Sequence, residues 1–151
     1  MSLDPLKTEL AKSDYDALIA AGNHSAIAAM LNAKTVSLLR PVSSASLLAW
    51  SAQNNRFRKI EAATADVNSP VYSLASAAML LIRRDGTELD LNLPDRVAML
   101  SALVGAGVLE QSDADAITTL ATAVVPWSQT FGIVEIGVGH IINALREMES
   151  E

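Results

Sequence analysis

Hydrophobic and polar positions recur along this chain mostly with the period of an α-helix, in short blocks separated by Gly, Pro and Asn. The first blocks are "LDPLKTELAK", "SDYDALIAAG" and "NHSAIAAMLNAK". We expect Asp4 and Ser13 to cap the first two helices and Gly22 to end the second. The third helix has two possible caps, Asn23 and Ser25. "TVSLLRPV" follows, and its β-branched residues and proline predict an extended segment.

A longer helical pattern comes next, in "LLAWSAQNNRFRKIEAA". We expect one helix that is capped by Ser43 or Ser44 and continues to about Asp66. "DVNSP" then breaks the chain, and a buried apolar helix is predicted over 70–84. Its near-apolar run covers about 13 residues, whereas a membrane-spanning helix needs about 20. The run therefore indicates a buried helix within a folded domain.

Three leucines at alternate positions follow an Asp85-Gly86 turn. Leu89, Leu91 and Leu93 recur with period two, which is typical of a strand with one apolar face. We expect one short strand or extended arm near residues 88–93.

The pattern then predicts a tight helical hairpin. We expect Gly107 to end its first helix and Ser112 to cap the second, with Asp115 completing a capping box. A DNA-reading hairpin needs donors and cations on its second helix, and residues 112–123 contain neither Lys nor Arg. Beyond Pro126, glycines make a flexible connection to a terminal helix, "HIINALREME".

Composition supports a mainly α fold. The chain has 151 residues, half of them apolar but only 4% aromatic. Its core must therefore be built from Ala, Leu, Ile, Val and Met, and Ala and Leu are the strongest helix formers. We predict a compact single-domain bundle of six to eight short helices over residues 1–151. The beginning, "MSLDPLKTEL", lacks the basic and then apolar pattern of a secretion signal, so we expect none.

Charge is distributed unevenly along the sequence. Residues 1–75 contain seven Lys/Arg and six Asp/Glu, a balance of +1, whereas residues 76–151 contain four Arg and eleven acids, a balance of −7. An acidic half disfavours general nucleic-acid affinity, which rests on neutralised phosphates. The asymmetry fits either ordinary solvation or head-to-tail packing of a basic face on an acidic face.

No group of residues in the sequence forms a coherent catalytic set. The chain has no Cys, no G-x-S-x-G motif and two histidines, His24 and His140. "GVGHIIN" resembles a dinucleotide loop but lacks the third glycine and the preceding strand. Glu135 and His140 are five residues apart, which is not the spacing of helical metal ligands. We therefore predict no enzyme, with no catalytic, cofactor-binding or metal-binding residues.

An apolar stripe on the "LLAWSAQNNRFRKIEAA" helix attracts more interest. On a helical wheel of 100° per residue, Trp50, Phe57, Leu47 and Ile60 fall on one side. The basic residues Arg56, Arg58 and Lys59 fall on the other side, where we expect water.

Two polar residues interrupt this stripe. By the same arithmetic Asn54 and Glu61 project among the apolar side chains, beside Trp50 and Phe57. Aromatic residues flanked by polar groups are typical of protein interfaces. Two interpretations stay open here: the stripe belongs to the core, or these four residues contact a partner.

The order of the motifs carries a family resemblance. "LKTEL", "AAMLNA", "LLAWSAQNNR", "AAMLLIRRDGTELDLNLPD", "LVGAGVLEQSDADAITTLAT" and the final "WSQTFGIVEIGVGHIINALRE" resemble small proteins encoded among the virion genes of tailed bacteriophages. The resemblance covers most of the chain. It implies a structural role in or near the virion, in the tail or neck, and carries no catalytic residues with it.

Together these observations predict a non-enzymatic minor structural protein of a tailed phage virion. We expect protein–protein contacts in the tail or head–tail region, with other virion proteins and with copies of itself in a symmetric oligomer. Neither a membrane nor a cofactor is expected, and the location is the virion, assembled in the host cytoplasm. The alternatives are a transient assembly factor and a DNA-binding regulator that uses Arg56, Arg58, Lys59, Arg83 and Arg84.

Overall fold

A computed structural model describes residues 2–151 and is mainly helical, at 63%. The predicted fold class is confirmed, with nine α-helices in the described residues rather than six to eight, and two small antiparallel sheets. In chain order the elements are α1 (Asp4–Leu10), α2 (Asp16–Ala20), α3 (His24–Ala33), β1 (Thr35–Leu39), β2 (Val42–Ser43), α4 (Ser44–Ser51), α5 (Arg56–Ala63), α6 (Tyr72–Arg83), β3 (Glu88–Leu89), α7 (Pro94–Gly105), α8 (Gln111–Ala121), β4 (Thr122–Pro126) and α9 (Val138–Ser150). Two short 3₁₀ helices, Ser13–Tyr15 and Trp127–Phe131, precede α2 and follow β4.

The chain divides into two compact units, each with its own core. The first combines the described residues up to Ser37 with Val124–Glu151, and the second is the intervening segment Leu38–Ala123. The prediction of one helical domain over residues 1–151 stays a prediction.

The first unit packs α1 and α3 against α9. Its fully buried side chains include Leu6, Ile27 and Ile141. The amide group of Asn32 fixes the segment before α9, since its Nδ2 donates to the Ile136 carbonyl at 2.9 Å and its Oδ1 accepts from the Ile136 N–H at 2.8 Å. The N–H and the carbonyl of Ile136, which lie outside any helix or strand, are therefore both hydrogen-bonded.

A buried carboxylate lies in the same unit. Glu9 is 7% exposed and accepts hydrogen bonds from Lys12 at 2.6 Å, Lys34 at 2.5 Å and the Tyr15 hydroxyl at 3.1 Å. Burial alone would raise the pKa of Glu9, but these three donors outweigh it and lower the pKa to about 2. Burial and the bond to Glu9 raise the pKa of Tyr15 to about 12.

The second unit is built around α6. Helices α4 and α5 both pack on it, and α7 and α8 complete the core. The buried face of α6 carries Ala75, Ala78, Met79 and Ile82, at the spacing of one helix side. The predicted buried helix over 70–84 is therefore confirmed, with ends shifted by one or two residues.

The predicted caps of the early helices are partly confirmed. Asn23 caps α3, since its side chain accepts from the Ala26 N–H at 3.2 Å. Asp4 is instead the first residue of α1, and Ser13 makes no capping hydrogen bond. Gly22 follows α2 with a positive φ of 64°, as predicted for a glycine that ends a helix.

The predicted extended segments are also present. The segment at 35–39 is β1, which pairs with β4, while β2 pairs with β3 so that Val42 faces Leu89. Leu89 and Leu91 are buried as predicted, whereas Leu93 is 46% exposed. The apolar face of this arm ends there because α7 begins at the next residue.

The single long helix predicted from Ser44 to Asp66 is wrong. Ser43 caps α4 by accepting from the Ser46 N–H at 3.2 Å, but α4 ends at Ser51 and α5 starts at Arg56. Between them Asn54 and Asn55 adopt left-handed backbone conformations, with φ of 53° and 58°. A left-handed residue cannot continue a right-handed helix, so α5 begins as a separate helix.

The hairpin of α7 and α8 forms, with its second cap at a different place. Gly107 has a φ of 74°, and the N–H groups of Val108 and Leu109 both donate to the Leu103 carbonyl. The predicted cap at Ser112 with Asp115 is wrong: Glu110 is the cap and Asp113 its partner. The Asp113 carboxylate accepts from the Glu110 N–H in this cap and is also bound to Arg56, as described below.

The terminal helix begins two residues earlier than predicted. Gly139 therefore lies within α9, and the Nδ1 atom of His140 accepts from the Gly137 N–H at 3.0 Å. At the other end of this unit, Lys7 on α1 contacts Glu151 at 2.6 Å. The hydrogen bonds to Glu151, which has the largest effect, and to Asp4 raise the pKa of Lys7, although desolvation opposes them.

The two structural units do not show the charge difference that separates the two halves of the sequence. The first unit carries four Lys/Arg against eight Asp/Glu, a balance of −4, and the second seven against nine, a balance of −2. Both units are acidic because the N-terminal and C-terminal segments share one unit. Packing of a basic half on an acidic half is therefore not supported.

Candidate contact surface

The four residues predicted to form one contact stripe lie on both sides of the α4–α5 break. Trp50 belongs to α4, Asn54 to the turn, and Phe57 and Glu61 to α5. A helical wheel assumes one continuous helix, and the left-handed turn removes that condition. The predicted stripe of Trp50, Asn54, Phe57 and Glu61 is therefore not one surface of one helix.

Trp50 is a core residue. It is 7% exposed, and its Nε1–H donates to the Asp113 carbonyl at 3.3 Å. The guanidinium of Arg56 lies over its ring, 5.1 Å from the ring centre. Of the two interpretations left open by the sequence, burial selects the core for this residue.

Arg56 and Asp113 form a buried ion pair beside Trp50. Arg56 is 5% and Asp113 2% exposed, and Nε lies 2.7 Å from Oδ1. The remaining groups also have partners: Arg56 Nη1 donates to the Trp50 carbonyl at 3.0 Å, and Asp113 Oδ2 accepts from the Glu110 N–H at 3.0 Å. The pair thus links α4, α5 and the first turn of α8.

The electrostatics of Asp113 follow from this geometry. Burial would raise the pKa of its carboxyl group, but the hydrogen bonds from Arg56 and the Glu110 N–H lower it. Lys59 adds a weaker attraction, with its Nζ 3.8 Å from Oδ2. Asp113 is therefore held as a carboxylate, as a charge partner of Arg56 must be.

The basic residues of this stretch are not a solvated cluster. The prediction that Arg56 faces water is wrong, because its guanidinium is held between Asp113 and Trp50. Lys59 is half-buried near the same carboxylate, and Arg58 is exposed. Of the five cations considered for DNA, Arg83 is also paired, with Glu61.

Phe57 and Glu61 meet around Arg83 of α6. The Arg83 guanidinium lies 5.1 Å from the Phe57 ring centre, and its Nη2 donates to Glu61 Oε1 at 2.8 Å. Phe57 is half-buried against the core, while Glu61 and Arg83 are about half exposed. This group borders a surface groove between α5 and α6, lined also by Met79 and Leu80.

Helix α4 has an exposed side that is made mainly of apolar residues. Its inner side buries Leu47 and Trp50, yet Leu48 on its outer side is 51% exposed. Ala45, Ala49 and Ala52 are exposed on the same side, at spacings of three and four residues. A helix that is apolar on every side is normally buried on every side.

The helical wheel does not reveal this outer face, because it takes the side that carries Trp50 as the apolar side of the helix. The signal is nevertheless present in "SASLLAWSA", which offers no charged side chain to any direction of the helix. Leu120 of α8, which is 48% exposed, lies across a groove from Ala49 and extends the face.

Two shallow grooves flank the outer face of α4. The groove towards α6 is lined by Ala45, Leu48, Ile82, Arg83 and Asp85. The groove towards α8 is lined by residues that include Ala49, Gln53, Ala116 and Leu120. A convex leucine and concave grooves therefore lie side by side, as contact between two proteins requires.

Two other kinds of functional feature concern metal binding and membrane spanning. Across residues 2–151 no three His, Asp or Glu side chains come together in a way that could hold a metal ion. No helix in the same range is long and apolar enough to cross a membrane.

Comparison with family models, with curated proteins and with solved structures finds no match for this chain.

Proposed function

We propose that this protein is a non-enzymatic minor structural protein of a tailed phage virion. It acts by protein–protein contact in the tail or head–tail region, with other virion proteins and with copies of itself. Its location is the virion, which is assembled in the host cytoplasm. The proposal needs no cofactor.

The exposed apolar face of α4 is the observation that carries this proposal. Leu48 of α4 and Leu120 of α8, which lines the groove beside Ala49, each expose about half of their surface. Contiguous apolar surface bordered by polar groups is typical of protein contact sites. The motif order that resembles small tailed-phage virion proteins supports the same function independently.

Mass spectrometry of purified virions tests the proposal. We expect peptides of this protein in gradient-purified particles, at a constant ratio to the other tail and neck proteins. A host protein of similar abundance in the lysate provides the control for contamination. Particles that lack the protein although it is expressed in the infected cell would contradict a virion role.

The same measurement separates the alternative of a transient assembly factor. Such a factor binds assembly intermediates and is absent from mature particles. Its signature is therefore co-purification with incomplete tails or necks and loss from finished virions.

The geometry does not favour the DNA-binding alternative. Three of its five cations are engaged by carboxylates, since Arg56 and Lys59 contact Asp113 and Arg83 contacts Glu61. DNA affinity rests on cations that can neutralise phosphates. Duplex DNA binding that falls steeply with added salt would restore this alternative.

A further inference from the structure

We propose that the outer face of α4 is the site at which two copies of this chain meet, related by a twofold axis. This inference deepens the proposed function, because it names the surface through which copies of the protein associate. The face consists of Ala45, Leu48, Ala49 and Ala52.

The shape of the face fits a helix of its own kind. Ala45, Ala49 and Ala52 form a line of small side chains beside a single large one, Leu48. Small residues let two helices approach to about 8 Å, the short end of interhelical distances. Leu48 of one copy then has a receiving groove in the other, between α4 and α6, lined by Ala45 and Ile82.

Self-complementarity is the requirement of a twofold contact. In such a contact residue i of one copy touches residue j of the other, and j touches i in return. Leu48 lies at the edge of the very groove that is proposed to receive its counterpart. The knob and the hole therefore belong to the same patch, and one patch satisfies both copies.

An acidic residue of the groove lining, Asp85, is preceded in the chain by a basic residue, Arg84. Both are exposed. Within residues 2–151 neither makes a salt bridge, whereas Arg83 beside them is paired with Glu61. When two copies of this groove meet about a twofold axis, Arg84 of each can face Asp85 of the other.

The oligomeric state of the purified full-length chain tests the proposal. Light scattering after size exclusion and sedimentation velocity are measured from about 1 μM to about 1 mM, the range of weak to moderate association. We expect a species of twice 15.9 kDa that grows with concentration. Leu48→Glu should raise the dissociation constant more than about tenfold, because it places two charges in the apolar centre.

Val97→Glu is the matched control. Val97 is 46% exposed on α7, comparable with Leu48, but lies outside the outer face of α4. We expect this variant to dimerise like the natural chain. Circular dichroism of both variants verifies that each is folded.

A charge exchange distinguishes the twofold arrangement from unspecific stickiness. Arg84→Glu and Asp85→Arg should each weaken the dimer severalfold, and the double variant should restore it, because the facing pairs are exchanged together. A chain that stays monomeric up to the highest concentration, or a dimer indifferent to Leu48→Glu and to the charge exchange, would overturn the proposal.

The outcomes for the two proposals remain separate. Dimerisation is measured on the isolated protein and is independent of whether virions contain it. A dimer with no protein in virions contradicts the proposed function alone, and a monomer present in virions contradicts this inference alone.

Discussion

At the scale of single residues, the interior of each unit is specified by one buried carboxylate with its own set of donors. Asp113 serves Arg56 and the first turn of α8 in one unit. Glu9 serves Lys12, Lys34 and Tyr15 in the other. Both carboxylates are charged and almost fully buried, so removal of one partner leaves an uncompensated charge.

Replacement of Arg56 by Met should destabilise the second unit by about 3–5 kcal/mol, because the Asp113 carboxylate would stay buried without its partner. Urea unfolding in a Trp127→Phe background makes the measurement specific, since Trp50 is then the only tryptophan of the chain. Arg58→Met is the control, and as an exposed change it should stay within about 0.5 kcal/mol. Equal effects of the two substitutions would contradict the buried ion pair.

Acid should weaken the first unit through Glu9. Its pKa falls from an ordinary 4.5 to about 2 on folding, so its contribution is complete above pH 4.5 and is lost as the pH falls towards 2. Glu9→Gln should therefore cost roughly 2–3 kcal/mol at pH 6 and progressively less below pH 4.5. The measurement is the difference in unfolding free energy between the two proteins across this range. A difference that does not change with pH would refute the assignment.

Trp50 and Phe57 should respond differently to truncation. Trp50→Ala should cost about 3–5 kcal/mol, since it empties a core position. Phe57→Ala should cost about 1–2 kcal/mol, because a half-buried ring contributes only part of the value of a fully buried one. Thermal melts of the two single variants decide this. Similar small losses of stability in both variants would contradict the burial of Trp50 in the core.

At the scale of elements, two consecutive asparagines divide one predicted helix of the second unit into two helices. Asn54 and Asn55 hold left-handed conformations that separate α4 from α5. Arg56 follows this break directly, at the start of α5, and its side chain is bound to Asp113. Most of the other helices follow their local patterns closely, whereas β4 and the 3₁₀ helix Trp127–Phe131 lie where a helix end and a flexible connection were predicted.

Substitution of these asparagines by alanine should destabilise the protein by about 1 kcal/mol each, because Cβ disfavours the left-handed conformation. Asn54→Gly and Asn55→Gly are the matched controls and should be close to neutral, since glycine adopts this conformation without steric cost. Chemical denaturation of the four variants compares them. If alanine and glycine have the same effect, the backbone does not need the left-handed turn.

At the scale of the whole molecule, chain connectivity changes how charge is distributed. The basic first half and acidic second half of the sequence are divided between two units of similar acidity. Association through opposite charges of whole units therefore loses its basis. The exposed apolar face of α4, with the oppositely charged Arg84 and Asp85 near it, provides a more local basis for contact between copies of the chain.

Local pattern determined most of the secondary structure of this protein. Its helical class, the buried α6, the turn at Gly107 and the extended segment of β1 follow from periodicity and from residues with special backbone preferences. These signals act over a few residues and need no partner from elsewhere in the chain.

Tertiary structure decided what sequence periodicity could not. Asn is tolerated inside a helix and in a left-handed turn alike, so only the fold selects the break at Asn54 and Asn55. Arg56 and Asp113 are 57 residues apart, and no local pattern predicts that they share a buried bond. The carboxylate of this pair caps α8, and the pair buries an arginine that the sequence pattern placed in water.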